Sequence, residues 1–300
     1  MYDIIIVGAG PAGLTASIYA KRSNKKVLVF ESSVPGGKIN NAHMIDNYPA
    51  LLHVSGTEFA TNIYSQAKEL GVEFKFERVN EIKDLTDYKE VSTSTCIYKS
   101  KTVILATGNE NRSLGLLREK ELIGKGISYC ATCDGNFFKG KDVCVIGGGN
   151  IALLDAIYLS DIVNKVYIIY KKDKLNAEDY LVNKLKEKNN IEVILNSNVV
   201  KLNGNNYLES ITINNGSEEY DLNVFGLFVA IGLNPQNENF KNIINIDKNG
   251  YIIAGEDCHT NINGIFACGD NRTKELRQLV TACSDGAIAA IEAIKYVNNK

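Results

Sequence analysis

"DIIIVGAGPAG", residues 3–13, runs four consecutive apolar residues into three spaced glycines. An unbroken apolar run that ends in glycine reads as a short strand buried on both faces, because an amphipathic helix would space its apolar positions three and four apart. Gly8 then permits a tight turn, Gly10 lets a diphosphate approach the backbone, and Gly13 lets the next helix lie close to the strand. A helix is predicted from this turn to about Ser23, followed by the strand "KVLVFE" at 26–31, which ends on Glu31. An acid about 20 residues past the glycines suits a ribose diol, and the helix N-terminus favours the diphosphate's charge.

The same unit recurs. "KDVCVIGGGNIALLDAIYLS", 141–160, is again strand, Gly147-x-Gly149-x-x-Ala152 and helix, and "KVYIIYKKD", 165–173, is its second strand. Two β-α-β units in 300 residues predict an α/β protein of two Rossmann-like, three-layer nucleotide-binding domains, with boundaries near 113 and 241 set by the repeat.

Composition narrows the function. A 45% hydrophobic, 23% charged chain with net charge −2 offers no basic face for nucleic acid. The first strand carries no basic leader and no stretch gives 18 uninterrupted apolar residues, so neither signal peptide nor membrane span is expected, and the cytoplasm is the expected compartment. Of seven cysteines, Cys96, Cys144, Cys258, Cys268 and Cys283 are scattered and read as small, reduced, mostly buried side chains. Only Cys130 and Cys133 form a close pair; with no second pair and no histidine cluster, no metal site is expected. Two thiols three positions apart can close a small, reducible ring, the requirement for thiol-disulfide exchange.

Over nearly its whole length the sequence resembles the low-molecular-weight flavoprotein thioredoxin reductases. The resemblance rests on "GAGPAG" at 8–13, "GGK" at 36–38, "NYP" at 47–49, "ATG" at 106–108, "CATCDG" at 130–135, "FVAIGLNP" at 228–235, "GIFACGD" at 264–270 and "RQLVTACSDG" at 277–286, in family order. It implies an FAD-binding domain split between 1–112 and 242–300, with the redox-active domain, 113–241, inserted. In that likeness Gly8, Gly10 and Gly13 hold the pyrophosphate and Glu31 the ribose. Asn47 and Gly108 lie beside the cofactor, Asp270 meets the ribitol chain, and Arg277 and Gln278 face the isoalloxazine. Cys133 takes electrons from the flavin, Cys130 attacks thioredoxin's disulfide, and Asp134 protonates the departing thiolate. A homodimer is implied as well.

The electron donor is where the chain departs from the family's pattern. NADPH-dependent members follow the second unit's closing strand with His-Arg-Arg and a further Arg; here those positions hold Tyr170, Lys171, Lys172 and Asn176. Lysine meets a phosphate as a point charge and lacks arginine's fork. Ile151 and Leu154 stand where the family carries a hydroxyl and a glutamate, and read as core packing if no nucleotide binds there. These departures resemble the ferredoxin-dependent flavin thioredoxin reductases, so reduced ferredoxin is the expected donor, with NADPH or NADH as the alternative. A flavin can join a one-electron donor to a two-electron disulfide. Lysines at 25–26, 139–141 and 184–188 would suit an acidic donor. A dithiol oxidase and a non-catalytic redox sensor are the remaining readings.

Overall fold

The computed structural model describes residues 1–42, 44, 45 and 47–299. The chain begins with β1 (Tyr2–Val7), α1 (Pro11–Arg22) and β2 (Val27–Phe30); α2 (Gly56–Glu69) then leads to β3 (Glu73–Lys75). β4 (Glu81–Asp84) and β5 (Lys89–Ser92) pair antiparallel before the long β6 (Ile97–Leu105) and β7 (Asn109–Asn111). Next come α3 (Glu119–Leu122), β8 (Ile127–Ser128), α4 (Ala131–Asp134), β9 (Asp142–Ile146), α5 (Asn150–Ser160), β10 (Lys165–Ile169), α6 (Asp179–Lys186) and β11 (Ile191–Ile194). β12 (Asn198–Asn203), β13 (Ser210–Asn214) and β14 (Glu219–Asn223) form an antiparallel sheet. β15 (Gly226–Val229), β16 (Leu233–Pro235), β17 (Ile265–Ala267) and α7 (Leu279–Asn298) complete the chain.

Two compact units result. The first comprises Met1–Ala42, Tyr48–Glu110 and the residues from Asn234 on; the second is built on Asn111–Leu233, with Asn47 grouped to it. The return crossing therefore falls before Asn234, earlier than the expected 241/242. The reason is packing: Phe240 joins Ile244 and Ile252 in the first unit's core, and the Asn237 amide donates to the Gly250 and Asn271 carbonyls.

In the first unit β1 lies parallel between β2 and β6. β5 pairs with Ile97–Ser100 of β6, and β17 pairs parallel with its later residues Val103–Leu105. The carboxyl ends thus stand in the order β2, β1, β6, β17. Alternate β1 residues face two cores: Ile4 and Ile6 pack with α1 and α7 residues such as Leu14 and Ala290, and Ile5 and Val7 with Phe30 and Val103. Burial on both faces is the cause of the unbroken apolar run, each such side chain contributing about 1.5–3 kcal/mol.

The second unit's parallel sheet runs β11-β10-β9-β15-β8. One face packs on α5 and α6 through Leu153, Leu159, Leu181 and Leu185. The other packs on the antiparallel sheet through Val199, Leu202, Ile211 and Ile213, giving three layers. Among the described residues, no helix is long and apolar enough to cross a membrane.

Candidate functional site

A cavity of about 880 Å³ lies along the carboxyl ends of the first unit's strands. Its walls include Gly8, Gly10, Glu31, Gly108, Asp270 and Gln278, six residues singled out in the sequence. Such a cleft, at the switch point where β1's neighbours β2 and β6 diverge, is where open α/β sheets take ligands. From Glu31, after β2, to Asp270, after β17, is three strand spacings, roughly 14 Å, so the cleft suits an extended ligand.

The glycine turn is built for close approach. Gly8 has φ +107°, and a Cβ there would lie 2.3 Å from the Ala106 carbonyl oxygen; one on Gly13 would lie 1.9 Å from the Gly8 oxygen. Both positions exclude a side chain so that α1 and β6 can close on the turn. Gly10 differs, because a Cβ there would meet nothing within 4 Å. Its backbone is bare toward the cavity, as a diphosphate requires. Glu31 is pinned at both carboxylate oxygens, by the Ala9 amide (2.8 Å) and the Ser33 amide (2.8 Å), leaving lone pairs for a diol.

At the other end Asp270 follows β17, and its Oδ1 is buried with no hydrogen-bond partner. Burial raises its pKa, opposed first by Lys38 and then by Lys274 and Arg277. A buried acceptor left open in this way fits a hydroxyl-bearing ligand. The preceding Gly269 amide donates to Asp285 (2.9 Å), which also takes bonds from Arg272 Nε and Nη2 (both 2.8 Å) and Lys274 (2.8 Å). Burial would raise the Asp285 carboxyl, but the Arg272 and Lys274 bonds hold it below the usual range. Asp285 sat unremarked inside "RQLVTACSDG"; nothing in a linear pattern says which acid of a motif is buried.

Two expected cofactor residues are not among those that line this cavity. Arg277 stacks over the Tyr251 ring, 4.1 Å from guanidinium to centroid, and donates to the Arg272 carbonyl, so it reaches a neighbouring aromatic ring while Gln278 and Leu279 line the cavity. Asn47 is exposed and groups with the second unit. Gly13 lies beneath the lining and serves packing.

In the second unit Cys130 and Cys133 are joined as a disulfide, with Cα atoms 5.3 Å apart. Cys130 caps α4, so one helical turn sets positions i and i+3 side by side. Both cysteines are half-buried. Ser128, absent from the sequence reading, accepts from the Cys130 amide (3.0 Å) and donates to the Asp134 carboxylate (2.6 Å), fixing that acid to the pair's backbone. The Thr132 hydroxyl lies 3.4 Å from Cys130 Sγ. Of the other thiols, Cys144, Cys258, Cys268 and Cys283 are buried and raised by that burial, which keeps them protonated and inert, whereas Cys96 is exposed.

At the second glycine turn the position matching Gly10, Gly149, is nearly as open, a Cβ there meeting only the Asn176 oxygen at 3.8 Å, and the crowding lies at its neighbours. A Cβ on Gly147 would lie 2.4 Å from the Ala230 oxygen, and one on Gly148 would lie 2.3 Å from the Tyr170 ring, which packs on this turn. The Asn176 amide donates to the Gly148 carbonyl (2.7 Å), and Asn150 and Glu178 exchange two bonds (2.8 and 2.9 Å), drawing the loop after β10 onto the turn. Lys171 and Lys172 are exposed. Ile151 and Leu154, read as core packing if no nucleotide binds there, are instead 54% and 51% exposed, because the inward face of α5 is taken by Ala152, Leu153 and Ala156.

Comparison with known proteins agrees with this geometry. The pyridine nucleotide-disulphide oxidoreductase family matches residues 2–286. A thioredoxin reductase of Listeria monocytogenes is 39% identical over 99% of this chain and 94% of its own length. The crystal structure of thioredoxin reductase from Streptococcus pyogenes superposes with TM-score 0.96 at 39% identity, covering 100% of this chain and 99% of that one. A ferredoxin-flavin thioredoxin reductase from Clostridium acetobutylicum is 31% identical, with TM-score 0.55 over 99% of this chain and 98% of its own. The open glycine cradle, the pinned acid and the unpaired Asp270 oxygen together fit FAD, the cofactor of this family. The chain belongs to the pyridine nucleotide-disulphide oxidoreductase family, among the low-molecular-weight thioredoxin reductases, and is an FAD-binding oxidoreductase.

Proposed function

We propose that this protein reduces thioredoxin through Cys130 and Cys133, with a reduced pyridine nucleotide as electron source. One observation carries the reading: a disulfide-bonded, half-buried pair whose neighbouring acid is fixed by Ser128, in a chain that also holds an FAD cradle. FAD, when bound, supplies the electron pair that opens the Cys130–Cys133 bond. Cys130 then attacks thioredoxin's disulfide, forming a mixed disulfide and releasing one thiolate, which Asp134 protonates. Cys133 resolves the mixed disulfide by attacking Cys130 Sγ, which restores the pair and frees the second thiol. Two electrons and two protons pass to the substrate in each turn.

Family membership and the retained Gly147-Gly149 turn support the nucleotide donor over the ferredoxin expected from the sequence. Lys171 and Lys172 project as exposed point charges suited to a phosphate. Ferredoxin remains the second reading, favoured by the solvent-facing Ile151 and Leu154 where a nucleotide would want polar partners. Anaerobic bleaching of the flavin by NADPH, NADH and reduced ferredoxin, offered separately, decides between them. Rapid bleaching by either nucleotide is the expected result, and bleaching by ferredoxin alone would overturn it. Thioredoxin turnover should fall by several orders of magnitude in Cys133→Ser, since the two cysteines act as a unit. The reading includes a homodimer and a cytoplasmic setting; sedimentation of the FAD-loaded protein should give twice the chain mass.

A further inference from the structure

The Asp270 end of the FAD cavity carries a cation to which the sequence reading assigned no role. Lys38 lines the cavity from the short 3-10 turn Gly37–Asn41. That turn is tied to the glycine loop, because the Gly36 amide donates to the Ala9 carbonyl (2.7 Å) and Gly37 lies against the Gly10 backbone. The Lys38 ammonium donates to Asn109 Oδ1 (2.8 Å), and the Asn109 amide nitrogen donates to the Asp270 carbonyl (3.2 Å). Asn109 is 4% exposed, so the link from Lys38 to the Asp270 turn is buried. Burial pulls the Lys38 ammonium downward in pKa, and Asp270 and Glu110 draw it back.

The position of this charge along the cavity gives it meaning. Glu31 and the bare Gly10 backbone suit the adenosine ribose and the diphosphate, which leaves the Asp270 and Gln278 end for the flavin portion. Electron uptake adds negative charge to the ring, and a fixed cation in a poorly solvated site acts on it far more strongly than in water. We propose that Lys38 sets the reduction potential of the bound FAD, favouring its reduced form through the ammonium held at the Asp270 end by Asn109. This inference needs FAD alone and is independent of the donor and of thioredoxin. The competing role is local neutralisation of Asp270, in which case Lys38 would matter for folding and not for the potential.

The test is a spectroscopic redox titration of FAD-loaded Lys38→Gln and Lys38→Arg against a reference dye. Loss of the charge in Lys38→Gln should shift the flavin-dye equilibrium about tenfold toward oxidised flavin, about 30 mV for a two-electron couple. Lys38→Arg should stay within about twofold of wild type, because it keeps the charge. A Lys38→Gln potential equal to wild type, or an equal shift in both variants, would overturn the proposal. So would loss of FAD from Lys38→Gln, Lys38→Arg and Lys38→Met alike, since the ammonium would then be a cofactor-holding group.

Discussion

The two glycine turns share a backbone plan and differ in what closes over them. After β1, a side chain on Gly10 would meet open space, an acid pinned by two amides stands across the turn, and a buried ionic cluster fixes the far wall. After β9, a side chain on the matching Gly149 would meet only the Asn176 oxygen at 3.8 Å, but Tyr170 packs on the adjacent Gly148 and the Asn176 amide ties the following loop to the turn. A β-glycine-α motif therefore secures helix-sheet packing in both units, while its neighbours decide how much of the backbone a ligand can reach.

The comparison can be broken most severely at the first turn's support. Asp285→Asn leaves the buried Arg272 without its buried carboxylate partner, only the exposed Glu256 remaining at 3.2 Å, and should destabilise the protein by about 3–5 kcal/mol, read as a lower Tm with FAD lost in parallel. Because the Asp285 pKa is depressed in the folded state, its contribution is present above the carboxylate's unfolded pKa and vanishes as pH falls through the lower folded value. The gap between wild type and Asp285→Asn should accordingly narrow in acid.

A smaller effect sharpens the contrast between turns. Glu31→Ala removes a charged acceptor and should weaken FAD binding roughly 10- to 100-fold, measured by fluorescence on reconstitution, whereas Tyr170→Ala should leave it unchanged. Equal losses in both would mean the two turns are not functionally distinct. The smallest effect lies on α5, beside the second turn. Burial pushes Asp155 up to about 7, so its ionised form is disfavoured in the folded state. Stability from this group is full below about pH 4 and falls as pH rises toward 7. Asp155→Asn should therefore raise Tm more at pH 8 than at pH 5, by roughly 1–2 kcal/mol of stability after allowance for its partial exposure; equal gains at both pH values would refute the assignment.

Sequence alone determined both β-α-β units, the three-layer α/β class, the cysteine pair and the glycine turn that floors the cavity, because strand burial and glycine turns are local demands that leave a periodic trace. Gly8, Gly10 and Glu31 were legible for that reason, whereas Asp270 was marked only by the family resemblance. Tertiary structure decided the rest. Phe240 belongs to the first unit because its partners Ile244 and Ile252 pack there, and Ile151 faces solvent because Ala152 and Leu153 fill the inward face of α5. Arg277 leans on Tyr251, and Ser128 and Lys38 acquire their meaning from Asp134 and Asn109. These are choices between partners brought together only after the chain has closed, and a one-dimensional pattern carries no information on which partner a long or apolar side chain will meet.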